Sequence, residues 1–598
     1  MKTAFFQSFE DSFDREETPF RLSMVQAELK KLNLSGYLVP RSDVHQGEYV
    51  AACDERLSWL TGFTGSAGIC IVGNDRAGVF VDGRYSIQAK KQTKSPFEVT
   101  QWNKKNFLQW IEKNIVKGEI GFDPWLHSHK EISELSEAFA DTGIGFVPSD
   151  NLIDKVWLTR PHKVVSQAMS YPFKLAGLTA KDKCQQIAEI IKFKKADTAV
   201  ITLPDSIAWL LNLRGKDVVH NPILHAFLII NGKGKIELFC NSENISNSIT
   251  GLESFVTVST LENFETSLTK LNGSVLLDET TVPFATVKIL QSNDCKLIMG
   301  EDPIILPKAC KNHVELKHAR LCHKRDAVHM CEFLSWVDRQ SEKEFDEIDA
   351  VIELENIRRK DENLKEISFD TIAASGPNAA LPHYRVNYSS NRTIKRGEVL
   401  LVDSGGQYLD GTTDITRTIA IGTQSKEVKD AFTRVLKGLI AISELKFPCG
   451  TSGRDIDAFA RAPLWQNGQD YAHGTGHGVG HYLSVHEGPQ RISKFSDIEF
   501  KEGMIVSNEP GFYKEGKFGI RIENLILVKD PEFKTDNSFL EFETLTFVPI
   551  DRRLISLSLL DSYELEWINN YHSQCWKRAK DLVTAATKAW LKTMTRPL

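Results

Sequence analysis

Cysteine is sparse in this chain: ten cysteines are spread over 598 residues, and no two of them form a Cys-x-x-Cys pair. This spacing argues against the paired cysteines of a zinc ribbon and against the disulfide framework of a small secreted domain. Scattered thiols are typical of proteins in a reducing compartment. We therefore expect free cysteines and a cytoplasmic protein.

Long apolar runs and an excess of positive charge are also missing. No uninterrupted hydrophobic stretch reaches the ~20 residues that a membrane-spanning helix needs, and the opening MKTAFFQSFEDSFDREE lacks the apolar core and cleavage site of a signal peptide. The formal net charge of −6 indicates no basic surface for nucleic acid or anionic lipid. With 41% hydrophobic and 25% charged residues, the composition predicts a soluble globular protein without nucleic-acid or membrane partners.

A weak internal repeat indicates how the first half of the chain is organised. LSWLTGFTG at 57–65 and IAWLLNLRG at 207–215 share an apolar residue, a small residue, Trp, Leu and a final Gly in the same order. A predicted strand ending in proline precedes each copy, YLVP before the first and VITLP before the second. Chance similarity is the alternative, but two related α/β domains explain the pattern more economically. At ~150 residues per domain the length suits three or four domains, and we place them at 1–160, 161–310, 311–540 and 541–598.

Four carboxylates occupy equivalent places in two predicted hairpins. In GEVLLVDSGGQYLDGTTDITRTIAIG, Asp403 interrupts an apolar strand, and Asp414 lies on the return strand after the YLDG turn. In GMIVSNEPGFYKEGKFGIRIENLILV, an apolar strand ends at Glu509 and the return strand carries Glu523. A single aspartate at a strand end is usually a turn former or a helix cap. Two hairpins that repeat the arrangement favour a shared site instead.

A glycine-rich cluster of histidines lies between the two hairpins. HGTGHGVGHYLSVHEGP, residues 473–489, holds four of the 16 histidines in the chain. Four carboxylates buried together would repel one another unless positive charge compensates them, and two divalent cations would supply that charge. Oxygen ligands with one imidazole suit Mn²⁺, Co²⁺, Fe²⁺ or Zn²⁺ and not a thiolate-type zinc site. The pattern predicts a site for two divalent metal ions.

These segments resemble the pita-bread metallopeptidases, the family that contains methionine aminopeptidase, prolidase and aminopeptidase P. HQGEYVAACDERLSWLTGFTGSAG, DGRY, IAWLLNLRGKDVVHNP and HGTGHGVGHYLSVHEGP are similar to the long, three-domain, cytosolic aminopeptidases P, and so are LTFVPID and WINNYH near the end. The resemblance implies an α/β (α+β) fold with two related creatinase-N-like domains, at 1–160 and 161–310. A pita-bread catalytic domain at 311–540 follows them. Residues 541–598 then form a C-terminal extension on the catalytic domain or at a dimer interface.

The resemblance also implies a set of five metal ligands. Asp403 is expected to chelate one metal, while His477 and Glu509 bind the other. Asp414 and Glu523 are expected to bridge the two metals. Water held between two cations loses its proton near neutral pH and can attack the carbonyl before the scissile bond. Manganese is the metal that we expect first, with cobalt, zinc and iron as alternatives.

The same resemblance assigns substrate and proton-transfer roles. Glu509 is expected to carry a proton from water to the leaving proline nitrogen, because an amide anion is a very poor leaving group. His383 or His486, together with a metal, is expected to stabilise the oxyanion. His473 is also expected to be catalytic, binding substrate and the developing charge as His486 does, and His383 is expected to bind substrate as well.

Two further residues near these motifs are open to simpler interpretations. Arg521, in GIRIEN, is expected beside the site as a substrate-binding residue, with an ordinary strand-surface arginine as the alternative. His481 matches no position at which the family requires histidine. We therefore predict that His481 is a structural loop or strand residue outside the metal ligands.

The resemblance implies an exopeptidase that releases the N-terminal residue from peptides with proline in second position. Prolidase, which cleaves Xaa-Pro dipeptides, is one alternative, and a metal-free pita-bread module that binds peptides or histones is another. The complete set of ligand positions opposes the binding module. The two front domains and the C-terminal extension favour aminopeptidase P over prolidase. We also expect a homodimer.

Overall fold

The computed structural model describes residues 2–10, 14–241, 245, 251–340, 344–531 and 538–598. The chain forms two compact units, one of Ser12–Ile305 and the other of Leu306–Leu598 together with Met1–Asp11. All ten cysteines are free thiols, as predicted. Within the described ranges, no helix is both long and apolar enough to span a membrane.

The unit Ser12–Ile305 contains two α/β halves. In the first half the strands are β1 (Gly36–Pro40), β2 (Ile69–Gly73), β3 (Ala77–Val81), β4 (Phe97–Gln101), β5 (Gly118–Phe122) and β6 (Ile144–Pro148). Its helices are α1 (Thr18–Lys31), α2 (Arg56–Thr61), α3 (Ser86–Gln92), α4 (Lys104–Asn114), α5 (His129–Ala138) and α6 (Leu152–Val156). The six strands form one sheet in the order β4-β3-β2-β1-β5-β6.

The second half repeats this architecture. Its strands are β7 (Met169–Ser170), β8 (Thr198–Ile201), β9 (Leu213–Arg214), β10 (Phe227–Asn231), β11 (Ile236–Phe239), β12 (Val256–Ser259), β13 (Ser274–Leu277) and β14 (Lys296–Met299). Its helices are α7 (Phe173–Ala176), α8 (Ala180–Phe193), α9 (Pro204–Leu211), α10 (Asn263–Leu268) and α11 (Phe284–Ser292). The main sheet has the order β12-β11-β10-β8-β13-β14, while β7 and β9 form a separate ribbon.

The two main sheets have the same topology, because β1 and β8 take the same position and the later strands follow in the same order on either side. The sequence repeat falls at the same place in both halves, in α2 after β1 and in α9 after β8. Each of these helices ends at a residue in the left-handed conformation, Gly62 with φ 78° and Asn212 with φ 51°. The prediction of two related α/β domains is confirmed.

The other unit contains the carboxylate and histidine motifs. Its helices are α12 (Ile305–Ala309), α13 (His313–Gln340), α14 (Glu347–Arg358), α15 (Lys426–Ser443), α16 (Gly453–Trp465), α17 (Ser562–Ala579) and α18 (Ala585–Met594). Its strands are β15 (Leu364–Ile367), β16 (Ile372–Ser375), β17 (Val399–Ser404), β18 (Gly406–Tyr408), β19 (Gly411–Thr412), β20 (Ile415–Ala420), β21 (Lys446–Pro448), β22 (Gly476–Gly478), β23 (Glu487–Ile492), β24 (Ile505–Asn508), β25 (Gly511–Lys514), β26 (Phe518–Arg521), β27 (Asn524–Lys529) and β28 (Phe539–Thr544). A 3₁₀ turn, Gly376–Ala380, follows β16.

Each predicted carboxylate hairpin is an antiparallel strand pair with a smaller hairpin inserted in its connection. Strands β17 and β20 pair directly, and β18 and β19 form the inserted hairpin around the predicted YLDG turn. Strands β24 and β27 pair in the same way, with β25 and β26 inserted between them. The insertions have their own partners, since β18 also pairs with β15. The sequence predicted that the return strands carry Asp414 and Glu523, but each residue lies immediately before its strand, β20 or β27.

Helix α15 covers the first strand pair with its apolar face. Val435, Leu436 and Leu439 pack into one buried cluster with Val399 of β17 and Ala420 of β20. The helix begins at a serine cap whose side chain accepts the backbone N–H of Val428, which satisfies one of its unpaired donors. Packing of this kind fixes the strands that carry the carboxylates.

The C-terminal residues pack on their own unit. Leu591 of α18 is fully buried in a cluster with Cys331 of α13. The indole N–H of Trp590 donates to Asp338 of α13 at 2.8 Å. The short helix, which is too small to be stable alone, is thus held by α13.

Candidate metal centre

Five predicted ligand residues lie at the ends or edges of paired strands. Asp403 is in β17, and Asp414 immediately precedes β20. His477 is in β22, which lies beside β24 in a six-stranded sheet. Glu509 immediately follows β24, and Glu523 immediately precedes β27.

Direct hydrogen bonds join the first strand pair, β17 and β20, to the second pair, β24 and β27. The backbone N–H of Glu523 donates to the carbonyl of Thr416 in β20 at 3.1 Å. The hydroxyl of Thr416 donates to the Glu523 carboxylate at 2.8 Å. Thr416 thus holds one carboxylate of the second strand pair against the first pair, although the sequence analysis gave it no role.

The side chains of three of these residues are close enough to share one cation. One ligand atom each from Asp414, His477 and Glu523 lie within 4.8 Å of one another. The Nε2 atom of His477 lies 3.5 Å from a carboxylate oxygen of Asp414 and 3.5 Å from one of Glu509. The imidazole therefore stands between two carboxylates, which is the arrangement that a metal ligand needs.

Three carboxylate oxygens in this group are buried without a hydrogen-bond donor among the described residues: Asp403 Oδ1, Asp414 Oδ1 and Glu523 Oε1. Leaving a buried acceptor unsatisfied costs roughly 1–3 kcal/mol, and more for a charged group. A cation coordinated by these oxygens would remove that cost. The donor set fits divalent metal ions.

Electrostatics lead to the same conclusion. Burial raises the pKa of Asp414 well above its usual value, and the carboxylates of Asp403 and Glu509 raise it further. Burial also raises the pKa of Glu523 far above its usual value, with Asp414 as the next cause. Without a cation, the protonated forms of these two groups are therefore favoured. Two divalent ions carry the four positive charges that would keep all four carboxylates ionised.

His477 is oriented for ligation through Nε2. Its Nδ1 lies 2.9 Å from the carbonyl of Gly478, which assigns the ring hydrogen to Nδ1 and leaves the Nε2 lone pair facing the carboxylates. The flanking glycines allow close strand packing. A Cβ at Gly476 would lie 1.8 Å from the carbonyl oxygen of Ser507, and one at Gly478 would lie 2.4 Å from that of Glu487. No side chain fits there without separating the strands.

His486 lies directly against His477, one of the predicted metal ligands. Its ring makes an edge contact with His477 at a centroid distance of 4.3 Å. The next residue, Glu487, is fully buried and pairs with Lys308 at 2.7 Å and with Lys311. His486 therefore immediately precedes a strand end that two buried lysines hold in place.

His473 joins the cluster through a chain of hydrogen bonds. Its Nδ1 lies 2.7 Å from the Gly474 carbonyl, and its Nε2 lies 2.9 Å from the hydroxyl of Tyr513. Arg521 donates to that same hydroxyl at 2.6 Å and to Asp403 at 2.6 Å. Arg521 is 2% exposed, so it is not a strand-surface arginine.

The sequence analysis missed Tyr513. It lies on β25, in the connection between the two strands of the second predicted hairpin, to which the sequence analysis assigned no site residue. Burial raises its pKa to about 12, so the phenol keeps its proton and can donate to His473. A weak signal was present, because Tyr513 stands opposite Gly519 in the inserted hairpin, and a small residue there leaves room for the ring.

The last two histidines discussed in the sequence analysis, His383 and His481, lie in two different loops. His383 is half-buried and follows the 3₁₀ turn Gly376–Ala380. That turn packs tightly on β26, since a Cβ at Gly519 would lie 1.7 Å from the carbonyl oxygen of Ala379. His481 is buried in the loop after β22.

Comparison with known proteins shows the family of this chain. The description "Creatinase/Prolidase N-terminal domain" matches residues 21–156 and again 159–315, and "Metallopeptidase family M24" matches 317–530. The C-terminal region of the same peptidase family matches 538–598. The chain is 38% identical to a probable Xaa-Pro aminopeptidase P of Talaromyces marneffei, over 97% of this chain and 92% of that protein.

The chain belongs to metallopeptidase family M24. A second relative of that name, from Coccidioides posadasii, is 37% identical over 97% of this chain and 100% of its own length. The structure is similar to that of the X-prolyl aminopeptidase of Caenorhabditis elegans, with a TM-score of 0.92, 32% identity, and coverage of 97% of this chain and 100% of that one. That protein is described as a cytosolic enzyme with a di-nuclear active site. The predicted resemblance and fold class are confirmed.

Proposed function

We propose that this M24 enzyme is an Xaa-Pro aminopeptidase, which releases the N-terminal residue from peptides whose second residue is proline. The observation that carries the proposal is the match along nearly the whole chain, front domains included, to the X-prolyl aminopeptidase of C. elegans. Relatives named probable Xaa-Pro aminopeptidase P are similar over the same length.

Two divalent metal ions complete the proposed site, with manganese first and Co²⁺, Zn²⁺ and Fe²⁺ as alternatives. When bound, they would supply Lewis-acid activation of water and of the scissile carbonyl. Oxygen and imidazole donors of this kind suit these metals. The residues proposed to hold them are Asp403, Asp414, His477, Glu509 and Glu523.

Glu509 is the residue that we assign to proton transfer. Burial raises its pKa, and the nearby Asp403 contributes to the increase. A carboxylate with a raised pKa accepts a proton readily and can deliver it to the leaving nitrogen. His486 and His383 are assigned to the developing oxyanion, and His473 to substrate binding.

Arg521 and Tyr513 hold Asp403 and His473 in place through hydrogen bonds. Because Arg521 bonds both Asp403 and the Tyr513 hydroxyl, it orients a metal ligand and a phenol at once. The phenol in turn orients the ring of His473. We assign Arg521 to positioning within the substrate site.

Proline in second position has a physical consequence for the substrate. An Xaa-Pro bond lacks an N–H, and the ring fixes φ near −65°, so a peptidase that binds this N–H cannot act on it. Prolidase activity is the competing proposal within the family. We favour the aminopeptidase because relatives named probable Xaa-Pro aminopeptidase P match the chain along nearly its whole length, both creatinase-like halves included.

The proposal extends to assembly and location. We propose a homodimer in the cytoplasm, with Xaa-Pro peptides as its partners. The cytosolic description of the C. elegans relative supports the location, and the ten free thiols are consistent with a reducing compartment.

The deciding experiment compares two substrates on the purified chain loaded with Mn²⁺. We expect a higher kcat/KM for a tripeptide Xaa-Pro-Yaa than for the dipeptide Xaa-Pro with the same first residue. N-acetylation of the tripeptide should abolish turnover, and a matched Xaa-Ala-Yaa peptide should be cleaved poorly. A better dipeptide substrate would establish prolidase instead, and the absence of hydrolysis with any of four metals would favour a binding module.

A further inference from the structure

Residues Lys2–Glu10, called here the N-terminal arm, pack on the unit that carries the candidate metal centre. The arm begins over α14, where Lys2 pairs with Asp346 at 2.7 Å. The backbone N–H of Phe5 then donates to the Glu355 carboxylate at 2.5 Å. Polar contacts along α14 therefore fix the path of the arm.

Gln7 holds the strand that neighbours a proposed metal ligand. Its side chain is 4% exposed and binds both backbone groups of Thr371: the Thr371 N–H donates to it at 2.8 Å, and its amide donates to the Thr371 carbonyl at 3.3 Å. Thr371 immediately precedes β16, whose first residue, Ile372, is paired with Asp403 across the ladder. The amide of Gln7 thus continues the hydrogen bonding of β16 where its backbone would otherwise be unsatisfied.

Phe9 holds the segment that carries His383. It is 2% exposed and makes an edge contact with the ring of Tyr388 at 6.1 Å. The backbone N–H of Tyr388 donates to the Phe9 carbonyl at 3.0 Å, and its hydroxyl donates to the Lys2 carbonyl at 2.7 Å. Both ends of the arm therefore contact one tyrosine, five residues after His383.

The segment between the 3₁₀ turn and β17 has neither helix nor strand of its own, so its course depends on contacts with the elements around it. Those contacts include the Tyr384 hydroxyl, which donates to Glu347 at 2.9 Å, and Arg385, which pairs with Asp370. The arm adds the contacts at Tyr388. Because His383 lies next to Tyr384 and five residues before Tyr388, we expect loss of the arm to loosen its segment on the C-terminal side.

We propose that the N-terminal arm is a positioning element of the active site: Phe9 and Gln7 hold the His383 segment and the start of β16 in register with Asp403. The proposal rests on the proposed function where activity is the readout. Positioning acts on turnover, because a shift of about 1 Å in a catalytic group can cost a hundredfold in rate.

The first test deletes residues 2–10 from the full chain and measures both kinetics and amide hydrogen exchange. We expect kcat on an Xaa-Pro-Yaa peptide to fall roughly ten- to hundredfold, with a smaller change in KM. Exchange at 381–391 should accelerate, above all at the Tyr388 N–H. A synthetic peptide of residues 1–10 added in trans should restore protection and much of the turnover, which a general loss of folding would not allow.

The second test uses single substitutions in case the deletion variant folds poorly. Phe9→Ala and Gln7→Ala should each lower kcat, whereas Glu10→Ala, which changes an exposed side chain of the same arm, should not. In a His383→Ala background, Phe9→Ala should cause little further loss, because the two changes act on one function.

The outcomes separate this proposal from the proposed function. If the intact chain does not cleave Xaa-Pro peptides, the function fails, but the exchange and peptide-binding measurements still test the arm. If the chain is active while the deletion or Phe9→Ala leaves kcat and exchange at 381–391 unchanged, the arm has no positioning role. Full additivity of Phe9→Ala with His383→Ala would also overturn it.

Discussion

Arg521 and Asp403 form a buried pair in which a guanidinium nitrogen lies 2.6 Å from a carboxylate oxygen that belongs to a proposed metal ligand. The other terminal nitrogen of Arg521 donates to Tyr513. Asp403 is therefore connected, through two side chains, to His473. This relationship makes the substrate side of the site sensitive to changes that do not touch a metal ligand.

Removing the phenol should reveal this connection. Tyr513→Phe deletes the hydroxyl that bonds both Arg521 and His473, so we expect kcat/KM on an Xaa-Pro-Yaa peptide to fall roughly 10²-fold at unchanged metal content. Tyr563→Phe is a matched control, since Tyr563 is exposed and bonds only surface Glu444 among the described contacts. Equal activity of the two variants would separate Tyr513 from the reaction.

Asp414→Asn tests the metal centre. The buried oxygen without a donor and the raised pKa both mark Asp414 as a group that needs a cation. We expect the variant to bind less than two metal ions per chain by elemental analysis and to lose most activity. Asp217→Asn is a control for altering a buried carboxylate, because Asp217 bonds Ser166 and the backbone of His225 in the unit that does not carry the candidate metal centre. Two tightly bound ions in Asp414→Asn would contradict the proposed role of Asp414 in holding the metals.

Glu487→Gln should destabilise the unit that carries the site. The substitution leaves the buried ammonium groups of Lys308 and Lys311 facing a neutral amide, and breaking a buried ion pair typically costs ~3–5 kcal/mol. Glu543→Gln removes the partner of the exposed Arg320 and should cost under ~1 kcal/mol. Urea denaturation of both variants measures the difference, and similar midpoints would be inconsistent with it.

Asp302 should make stability depend on pH near neutrality. Burial raises its pKa to about 7, and the carboxylates of Asp205 and Asp278 contribute. Because the folded state holds this proton more tightly than the unfolded chain, the stabilisation is full below about pH 4 and is lost as pH rises through 7. The loss is on the order of 4 kcal/mol.

Asp302→Asn removes that titration. We expect the variant to be more stable than the parent at pH 8 and closer to it at pH 5, by denaturant unfolding of the full chain. Asp141→Asn changes an exposed aspartate and should show no such pH-dependent gain. If Asp302→Asn and the parent differed equally at both pH values, burial of an ionised carboxyl would not be the cause.

The assembly proposal has a simple measurement. We expect light scattering at micromolar concentration to give twice the 67.4 kDa mass of the chain. A variant that lacks α18 would test whether this helix serves only its own unit, as its contacts with α13 indicate. A monomeric mass for the parent would remove the homodimer from the proposal.

Much of the fold was predictable because its signals are local. The repeat at 57–65 and 207–215 falls on helices that follow β1 and β8, the equivalent strands of the two halves, and a left-handed Gly or Asn ends both helices. The predicted YLDG turn connects β18 to β19, with Tyr408 paired to Gly411. These features depend on neighbours in sequence, and sequence patterns record such neighbours well.

The features that escaped prediction depend on distant partners. Tyr513 was hidden because its role depends on Arg521 and on His473, 40 residues away. The insertion of β25 and β26 within the second strand pair moved Glu523 outside a strand. The packing site of the N-terminal arm could not be predicted from the sequence, since Gln7 bonds Thr371, which is 364 positions further along the chain. No periodicity or turn signal encodes such pairings.

The packing at Gly476 and Gly478 also limits how this enzyme can be redesigned. Even the smallest side chain at either position would meet a neighbouring backbone oxygen at 1.8 or 2.4 Å. A mutant library selected for a different metal preference should therefore leave both glycines unchanged and draw its successful variants from positions that line the carboxylates. Single substitutions of the glycines beside His477 are therefore excluded by packing, and a new metal preference would require changes at other residues near the metal ligands.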